Sequence, residues 1–319
     1  MFLNVQLEYL LFLQSLRGIT GHVFDGFFSF ITIFGEVLVP VIVMAGIYWC
    51  INNKIGMYLF WNSAMAYLSN ILIKITACVY RPWMLDSRIH PVPKVLKTAD
   101  GYSFPSGHTA GSTAVWGGIA IGFWQNKILR YSMILLVLLV AFSRNYLGVH
   151  TPQDVLVSLG IGIFFLWFTR KMFIWVEGGK NRDIILTVII TILGVSTILY
   201  GCLKSYPMKY VNGHLFINPE EIKLNVISRM GYVLGIFYGW FLDRRFIHFD
   251  SKIGTITDKV IRFIVGGSLV CILLTGTKCI FMQCMGSKIG CFIQPFILTL
   301  FITAIYPFFI TIYHRYKLK

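Results

Sequence analysis

Nine long runs of apolar residues constrain this chain more than any other feature of its sequence. Each is close to the length, about 17 to 25 residues, that an α-helix needs to cross the hydrocarbon core of a membrane. Only 13% of the 319 residues are charged, whereas soluble domains carry about 25%. The sequence therefore predicts an integral membrane protein of the all-α class, a polytopic transmembrane helical bundle with no strands. The predicted spans are 30–50, 55–80, 107–125, 128–147, 153–175, 184–203, 225–242, 259–281 and 291–313.

The first 18 residues differ from these runs because polar residues such as Asn4, Glu8 and Gln14 interrupt them. No basic residue precedes the segment, so it does not have the form of a signal peptide. We predict an interfacial or re-entrant N-terminal helix over 1–26, a helical core over 27–176 and a C-terminal transmembrane extension of four helices over 177–319.

The lysines and arginines between the spans are unevenly distributed. Cytoplasmic loops of membrane proteins are enriched in these residues, so the richer face is predicted to be cytoplasmic. This orientation puts the N-terminus outside and the C-terminus inside, and it explains the net charge of +15 without nucleic acid as a partner. The basic residues of that face are Lys54, Lys127, Arg130, Arg170, Lys171, Lys180, Arg182, Arg244, Arg245, Lys252, Lys259, Arg262, Arg315, Lys317 and Lys319.

The seven cysteines show no spacing typical of a metal site. Cys279, Cys284 and Cys291 flank a predicted outward loop. They are interpreted either as disulfide partners or as small apolar residues.

Three polar segments are predicted to meet on the outer face. The first is KITACVYRP, in which Lys74 and Arg81 are seven residues apart. Seven residues are two helical turns, so both side chains are predicted to face one side of one helix, about 10 Å apart along its axis, and to attract an anion. The alternative is that Arg81 extends to the interface and has no ligand. Lys74 lies inside an apolar run, where an ionisable residue favours function.

The second segment, YSFPSGHTAG, begins an apolar run with residues suited to a helix start. Pro105 and Ser106 can begin the helix, and Gly107 allows a ligand to approach the backbone closely. The exposed N–H groups of such a start bind anions, and His108 follows in the first turn. Taken alone, the segment can also be a simple capped turn.

The third segment is SRNYLGVHTPQD. Arg144 supplies a planar guanidinium group that suits phosphate or carboxylate. Thr151 and Asp154 fit the N-cap and third positions of the next helix. Asp154 is four residues after His150, so it can complement the helix dipole and also hold the imidazole Nδ1–H.

Together the three segments supply cations, two histidines, a carboxylate and a helix N-terminus. With a single carboxylate and a single thiol, they lack the cluster of acidic or thiol groups that binds a divalent metal. This set of residues suits metal-free phosphoryl transfer, in which cations neutralise the phosphoryl oxygens, one histidine attacks and the other protonates the leaving oxygen.

The pattern K-x6-RP, PSGH and SR-x5-H resembles the three-part signature of the type 2 phosphatidic acid phosphatase (PAP2) superfamily, which includes vanadium haloperoxidases and glucose-6-phosphatase. The resemblance covers roughly 30–175 and leaves no signature position substituted. It implies that His150 is the nucleophile forming a phosphohistidine, that Asp154 orients it and that His108 is the general acid. The resemblance further implies that five residues bind the phosphoryl group and that the reaction needs no metal or other cofactor. The phosphate-binding residues would be Lys74, Arg81, Ser106, Gly107 and Arg144.

The leading hypothesis is therefore a membrane phosphatase of the lipid phosphatase branch, with its active site outside the cytoplasm of a bacterial plasma membrane. By resemblance, the candidate substrates are phosphatidate, phosphatidylglycerol phosphate and undecaprenyl diphosphate. The alternatives are a phosphatase of a soluble ester such as a sugar phosphate, and a transport or lipid-binding protein that only holds an anion. The nine-helix topology resembles that of glucose-6-phosphatase, but topology by itself carries no information on the substrate.

Two further features lie outside the signature. The long loop between Arg81 and Pro105 is expected to cap the site, and its basic residues are interpreted either as head-group contacts or as solvated charges. Those residues are Arg88, His90, Lys94 and Lys97. Gly231, Gly235 and Gly239 recur every four residues and predict close helix packing, within the chain or between two copies.

Overall fold

The computed structural model describes residues 2–211 and 214–317, and nearly all of them are helical, as predicted. The α-helices are α1 (Phe2–Ile19), α2 (Val23–Ile31), α3 (Leu38–Gly46), α4 (Asn53–Ala77), α5 (Pro82–Leu85), α6 (Gly107–Ser112), α7 (Gly118–Gly122), α8 (Lys127–Tyr146), α9 (Pro152–Glu177), α10 (Arg182–Leu203), α11 (Pro219–Leu242), α12 (Ile256–Thr275), α13 (Lys278–Met285), α14 (Ser287–Leu300) and α15 (Tyr306–Lys317). Short 3₁₀ segments lie at Thr32–Gly35 and Pro93–Thr98, and π-helical segments lie at Ile47–Ile51, Thr113–Gly117, Asp243–Ile247 and Phe301–Ile305.

The expectation of no strands needs one small correction. Between α10 and α11, β1 (Tyr210–Val211) pairs antiparallel with β2 (His214–Leu215). Tyr210 lies opposite Leu215, and Val211 lies opposite His214. A ladder of two residues per strand is too short for the periodicity that identifies strands in a sequence.

The predicted count of nine membrane-spanning helices is not confirmed. Among the described residues, five helices are long and apolar enough to cross a membrane, or seven if each of two bent helix pairs is one span. The predicted spans 107–125 and 225–242 are not among them. In the first case, α6, the π-helical segment and α7 contain 6, 5 and 5 residues and end at Gly122. At 1.5 Å per residue they extend about 24 Å, less than the ~30 Å hydrocarbon core.

Two compact units make up the chain, and each is discontinuous in sequence. The first contains the residues up to Val39, Ser69–Leu166 and Lys204–Ile222. The second contains Pro40–Leu68, Trp167–Leu203 and the residues from Lys223 onward.

In the first unit, the long loop after Arg81 is folded and packed. It contains α5 and the 3₁₀ segment, and Val92 N donates a hydrogen bond to Leu147 O at 3.2 Å. The N-terminal helix α1 also contacts this loop, because Arg17 donates to the carbonyl oxygen of His90 at 2.9 Å. An apolar cluster therefore holds the loop against the turn after α8. Its buried members are Val92, Val95, Ala99, Tyr146, Leu147 and Val149.

In the second unit, the glycine-lined face of α11 packs within the chain. A Cβ atom on Gly231 would lie 3.1 Å from Pro295 Cγ, and one on Gly235 would lie 3.0 Å from Phe296 Cα. Both neighbours belong to α14, and the third glycine, Gly239, meets Thr303 just beyond it. These contacts confirm the intramolecular alternative for this motif.

All seven cysteines are free thiols in the structure. Cys291 is buried in α14, whereas Cys279 and Cys284 are exposed. The interpretation as a small apolar residue therefore fits Cys291 alone of the three.

Candidate active site

The structure places all eight predicted site residues in the first unit. Arg81, Arg144, His150 and Asp154 are each at most 2% exposed. Ionised groups at such depth are retained in proteins when they are paired or bind a ligand. The partners of each group therefore indicate what the site can do.

His150 lies in the turn between α8 and α9, and its two ring nitrogens have different partners. Nδ1 lies 3.2 Å from Asp154 Oδ2, and Nε2 lies 2.9 Å from Arg81 Nη1. With its proton on Nδ1, the ring donates to the carboxylate and presents the Nε2 lone pair to the guanidinium. Burial lowers the pKa of His150 well below its ordinary value, and the nearby cations Arg81, Arg144 and Lys74 lower it further. The imidazole is therefore neutral and able to act as a nucleophile.

Asp154 has both of the roles that its position in the sequence allows. Its Oδ2 accepts from Thr151 N at 2.9 Å, and Asp154 N donates to Thr151 Oγ1 at 3.4 Å, which forms a reciprocal cap at the start of α9. The same Oδ2 accepts from His150. The helix start therefore fixes the carboxylate that orients the imidazole.

Ser103 is a site residue that the sequence analysis missed. It is fully buried, and its Oγ donates to Asp154 Oδ2 at 2.5 Å. Its own backbone is held by a hydrogen bond of 2.7 Å from Ser103 N to Val79 O. Ser103 lies in an irregular segment two residues before the PSGH motif, so no periodic pattern points to its role.

The prediction that Lys74 and Arg81 lie on one helix is wrong. Helix α4 ends at Ala77, and Cys78 has a positive φ of 50°. Arg81 has an extended backbone because the residue before a proline disfavours the helical conformation.

After this break Arg81 turns into the site, and each of its three side-chain nitrogens donates to a backbone carbonyl. The acceptors are the oxygen atoms of Asp100 at 2.8 Å, Val149 at 3.0 Å and Gly101 at 3.1 Å. Arg81 therefore ties the long loop to the turn that carries His150. In this state only Nη1 faces the His150 ring.

Lys74 lies in the last turn of α4, and its ammonium group contacts the segment before the PSGH motif. Nζ donates to Tyr102 O at 2.7 Å and lies 3.5 Å from Ser103 O. The lysine thus brings positive charge to the same backbone that supplies Ser103.

Arg144 retains unused hydrogen-bonding capacity although it is fully buried. Its Nη1 donates to Thr32 Oγ1 at 2.6 Å, whereas Nε and Nη2 have no partner among the described residues. Buried donors without partners are rare and indicate a missing ligand or water. Nε and Nη2 of a guanidinium form one edge of its planar fork, which suits two oxygen atoms of a phosphoryl group.

The PSGH segment has the conformation that its sequence predicts. Helix α6 begins at Gly107, and the side chain of the N-cap residue Ser106 accepts from Thr109 N at 3.4 Å. Asn70, one turn before Lys74, donates to Pro105 O at 3.2 Å. A Cβ on Gly107 would have one neighbour within 4 Å, Asn70 Oδ1 at 3.7 Å, so space lies in front of this helix start.

His108 faces the same group of charges. The cations close enough to act on it are Arg144, Arg81 and Lys74, and the ring of His150 is also close. Its Nε2 is buried and has no partner within the part of the chain that the structure describes. A nitrogen placed in this way can donate a proton to, or accept one from, a bound group.

A short turn before the signature supports both His108 and Arg144. Thr32 begins the 3₁₀ segment and accepts from Arg144, while Gly35 ends it. A Cβ on Gly35 would lie 3.0 Å from His108 Cβ, so the turn packs closely on the histidine. No sequence pattern marks this turn, since it lies inside an apolar run.

The basic residues of the long loop do not join the site. Arg88 forms exposed ion pairs with Glu8 and Asp86, both at 2.7 Å. Lys94 and Lys97 are exposed. The solvated interpretation therefore fits these residues. In addition, no group of three His, Cys, Asp or Glu residues is placed to hold a metal ion in the described ranges.

Comparison with known proteins identifies the family of this chain. The chain matches the PAP2 superfamily over residues 55–177, and it matches the transmembrane extension of PAP2 superfamily phosphatases over 227–316. An undecaprenyl-diphosphatase of Bacillus subtilis, BcrC, is 31% identical over 163 residues, which cover 49% of this chain and 80% of that protein. A phosphatidylglycerophosphatase B of the same organism is 30% identical, over 40% of this chain and 65% of that protein.

A third relative, the lipid A 4'-phosphatase of Porphyromonas gingivalis, is 24% identical over 54% of this chain and 75% of its own length. No solved structure matches the chain. The protein belongs to the PAP2 superfamily and is an integral membrane phosphatase. Thr32 and Gly35 lie outside both matched ranges.

Proposed function

We propose that the protein removes a phosphate group from a lipid phosphate or lipid diphosphate, through a phosphohistidine intermediate, at the extracytoplasmic face of the membrane. One observation carries the proposal. The His150–Asp154 pair lies in a buried group of cations where Arg144 Nε and Nη2 and His108 Nε2 have no partner among the described residues. These atoms are the ones that a phosphoryl group and its leaving oxygen would engage.

In the first step, the Nε2 lone pair of His150 attacks phosphorus and the bond from phosphorus to the ester oxygen breaks. The negatively charged phosphate holds His108 as an imidazolium, and the leaving oxygen takes its Nε2 proton, so the lipid departs as a neutral alcohol or as a lipid monophosphate. The Arg81 N–H that faces His150 in the resting enzyme turns to a phosphoryl oxygen as the new bond forms. Asp154 stabilises the positive charge that develops on the imidazole.

In the second step, water attacks the phosphohistidine and the nitrogen–phosphorus bond breaks. His108, now neutral, accepts the proton from the water, and His150 leaves with its lone pair restored. Inorganic phosphate is released. Arg144, Lys74 and the α6 N-terminus stabilise the equatorial oxygens in both steps.

The substrate class is supported by the relatives and by the membrane setting. Proteins named as lipid phosphatases or lipid diphosphatases match 40 to 54% of this chain. A lipid substrate presents its phosphate at the interface, and in this chain the phosphate-binding residues lie at ends of apolar helices. Lys74 lies in the last turn of α4, and Arg144 in the last turn of α8.

The orientation rests on the distribution of basic residues. Loops at the opposite helix ends carry the larger number of lysines and arginines, so they are expected on the cytoplasmic side. The active site then faces outside.

Phosphate release by the purified protein in detergent, with EDTA present, tests this function. The panel contains phosphatidate, phosphatidylglycerol phosphate, undecaprenyl diphosphate and glucose 6-phosphate. We expect vanadate-sensitive release from a lipid and none from the sugar phosphate. Release from glucose 6-phosphate alone would contradict the lipid assignment.

A matched pair of histidine variants tests the nucleophile. His150→Ala should abolish release while the folded protein still binds vanadate. His90→Ala removes an exposed histidine of the long loop and should leave the rate unchanged. Full activity in His150→Ala would rule out the proposed mechanism.

A further inference from the structure

A cavity of about 560 Å³ lies within the second unit. It is formed where α4 begins, where α9 turns into α10, and where the π-helical segment follows α11. All of its lining residues belong to the second unit, whereas the active-site residues all belong to the first. The cavity is therefore separate from the catalytic pocket.

The cavity borders the start of α4, where Lys54 lies in the first turn. Three cations of its wall belong to the basic face that the sequence predicts to be cytoplasmic, namely Lys54, Lys180 and Arg244. We therefore expect the cavity on that side of the membrane.

One part of the cavity wall is apolar and aromatic, with Met57, Phe173 and Trp240. The remainder is strongly charged. Pockets that combine an apolar surface with a few polar groups are typical of small-molecule and lipid head-group sites. The sign of the ligand's charge depends on which of these groups are already paired.

Two of the acidic side chains are held by other groups of the protein. The Arg245 guanidinium donates hydrogen bonds to both carboxylate oxygens of Asp183, from Nε to Oδ2 and from Nη2 to Oδ1, the latter at 2.6 Å. Asp243 accepts from Tyr48 OH at 3.0 Å and from Phe249 N at 2.9 Å. Both carboxylates therefore serve to shape the cavity.

The basic residues that line the cavity have fewer partners within the protein than these two carboxylates have. Lys54 and Lys180 are exposed and have no ion-pair partner within the described parts of the chain. Arg244 reaches Asp183 only at 3.9 Å, with Arg245 already bound there. The remaining acidic group, Glu177, is exposed at the rim. The available charge is thus mainly positive.

We propose that this cavity binds a phosphate-bearing anion, supplied either as the head group of an anionic lipid or as a soluble phosphate compound. Basic pockets between membrane helices on the cytoplasmic side suit such head groups, because lysines there face an anionic surface. Lys54, Lys180 and Arg244 contact the phosphate, and Trp240 and Met57 contact the apolar part of the ligand. The site acts independently of the catalytic chemistry.

Binding to a charge-neutralised variant tests the proposal. In a His150→Ala background, Lys54→Gln/Lys180→Gln is compared with the parent protein. Two probes are used, glycerol phosphate in detergent and phosphatidylcholine nanodiscs with or without phosphatidylglycerol. The number of bound probe molecules is counted by native mass spectrometry, and affinity is measured by titration calorimetry. The catalytic pocket is the same in both proteins, so a difference reports on the second cavity.

We expect the double variant to bind one probe molecule fewer, or to bind that molecule about tenfold or more weakly, since each lysine near an anionic surface contributes on the order of a tenfold change. Lys127→Gln/Lys252→Gln removes two exposed lysines of the same predicted face and should bind as the parent does. Lys54→Arg/Lys180→Arg keeps the charge and should restore binding.

The two probes separate the two sources of the ligand. If the Lys→Gln double variant binds only phosphatidylglycerol more weakly than the parent does, the ligand is a lipid head group. If it also binds glycerol phosphate more weakly, the ligand is a soluble phosphate compound. Equal stoichiometry and affinity in the Lys→Gln double variant and the parent, for both probes, would overturn the proposal. On the His150 wild-type background, unchanged phosphate release by the double variant would show that its active site is folded.

Discussion

Ser103 Oγ donates a hydrogen bond of 2.5 Å to Asp154 Oδ2, the same carboxylate oxygen that accepts from His150 Nδ1. The serine and the histidine therefore share one acceptor, and both are almost fully buried. This shared contact fixes the carboxylate with respect to the imidazole. It also makes Ser103 a positioning residue, since it acts on His150 through Asp154.

Replacing Ser103 should lower turnover more than binding. In Ser103→Ala, Asp154 keeps its contact to Thr151 N but can rotate away from His150, so we expect kcat to fall about 10- to 100-fold, as when outer-shell partners of metal-ligating histidines are removed. KM should change little, because the Ser103 hydroxyl contacts Asp154 and His150 and none of the proposed phosphate-binding side chains. Steady-state kinetics with a lipid phosphate measures both quantities. Ser103→Thr keeps the hydroxyl and should recover part of the rate, and equal losses in the two variants would argue against a positioning role.

Replacing Thr32 should weaken phosphate binding although the residue lies outside the signature. Thr32→Val keeps the size of the side chain and removes the hydroxyl that accepts from Arg144 Nη1. The guanidinium group of Arg144 is then free to rotate away from the orientation that suits a phosphoryl group. We expect KM for the phosphoester to rise several-fold and vanadate inhibition to weaken. Arg144→Lys, which removes the fork itself, should have a larger effect on both values. Thr32→Ser keeps the hydroxyl and serves as the control. Wild-type vanadate inhibition in Thr32→Val would contradict the proposed role.

The pH profile should reflect a neutral nucleophile. Burial and the neighbouring cations lower the pKa of His150 in the folded protein, so the neutral imidazole persists as the pH falls through the ordinary histidine value of about 6.5. We expect the acid limb of kcat/KM, corrected for the ionisation of the substrate, to lie below that value. An acid limb centred above it, in a folded protein, would mean that the pKa of His150 is not lowered.

A methyl group added at Gly235, the middle glycine of the α11 face, should destabilise the folded protein. A Cβ on Gly235 would lie 3.0 Å from the Cα of Phe296, and backbone atoms cannot move aside as a flexible side chain can. Gly235→Ala should reduce the free energy of unfolding by about 1 to 3 kcal/mol, which is the usual effect of overpacking. Thermal unfolding in detergent measures it.

Gly267 of α12 provides the matched control for this substitution. Nothing lies within 4 Å of the Cβ that Ala would add there. Gly267→Ala should leave stability unchanged or raise it, because alanine is the better helix former. Equal melting temperatures for the two alanine variants would contradict the packing account.

The signature residues could be identified from sequence because each is marked by local chemistry. A proline and a serine before an apolar run predict a helix start, and the structure begins α6 at Gly107. Thr151 and Asp154 have the spacing of a cap, and the cap is present. These inferences needed only neighbours within one helical turn.

The parts that sequence analysis missed depend on contacts between distant segments. Thr32 and Arg144 are separated by 112 positions, and Ser103 and Asp154 by 51. No periodicity connects such pairs. The break after α4 was missed for a different reason, since apolar residues continue past Ala77 and hydropathy does not register the positive φ of Cys78.

The most direct test of the central claim is to trap the phosphoenzyme. Wild-type protein is mixed with a lipid phosphate, quenched rapidly in base to preserve phosphohistidine, digested and analysed by mass spectrometry. We expect one phosphoryl group on the peptide that contains His150, and none in His150→Ala. Turnover with the phosphoryl group on another residue, or the same modification in His150→Ala, would contradict it.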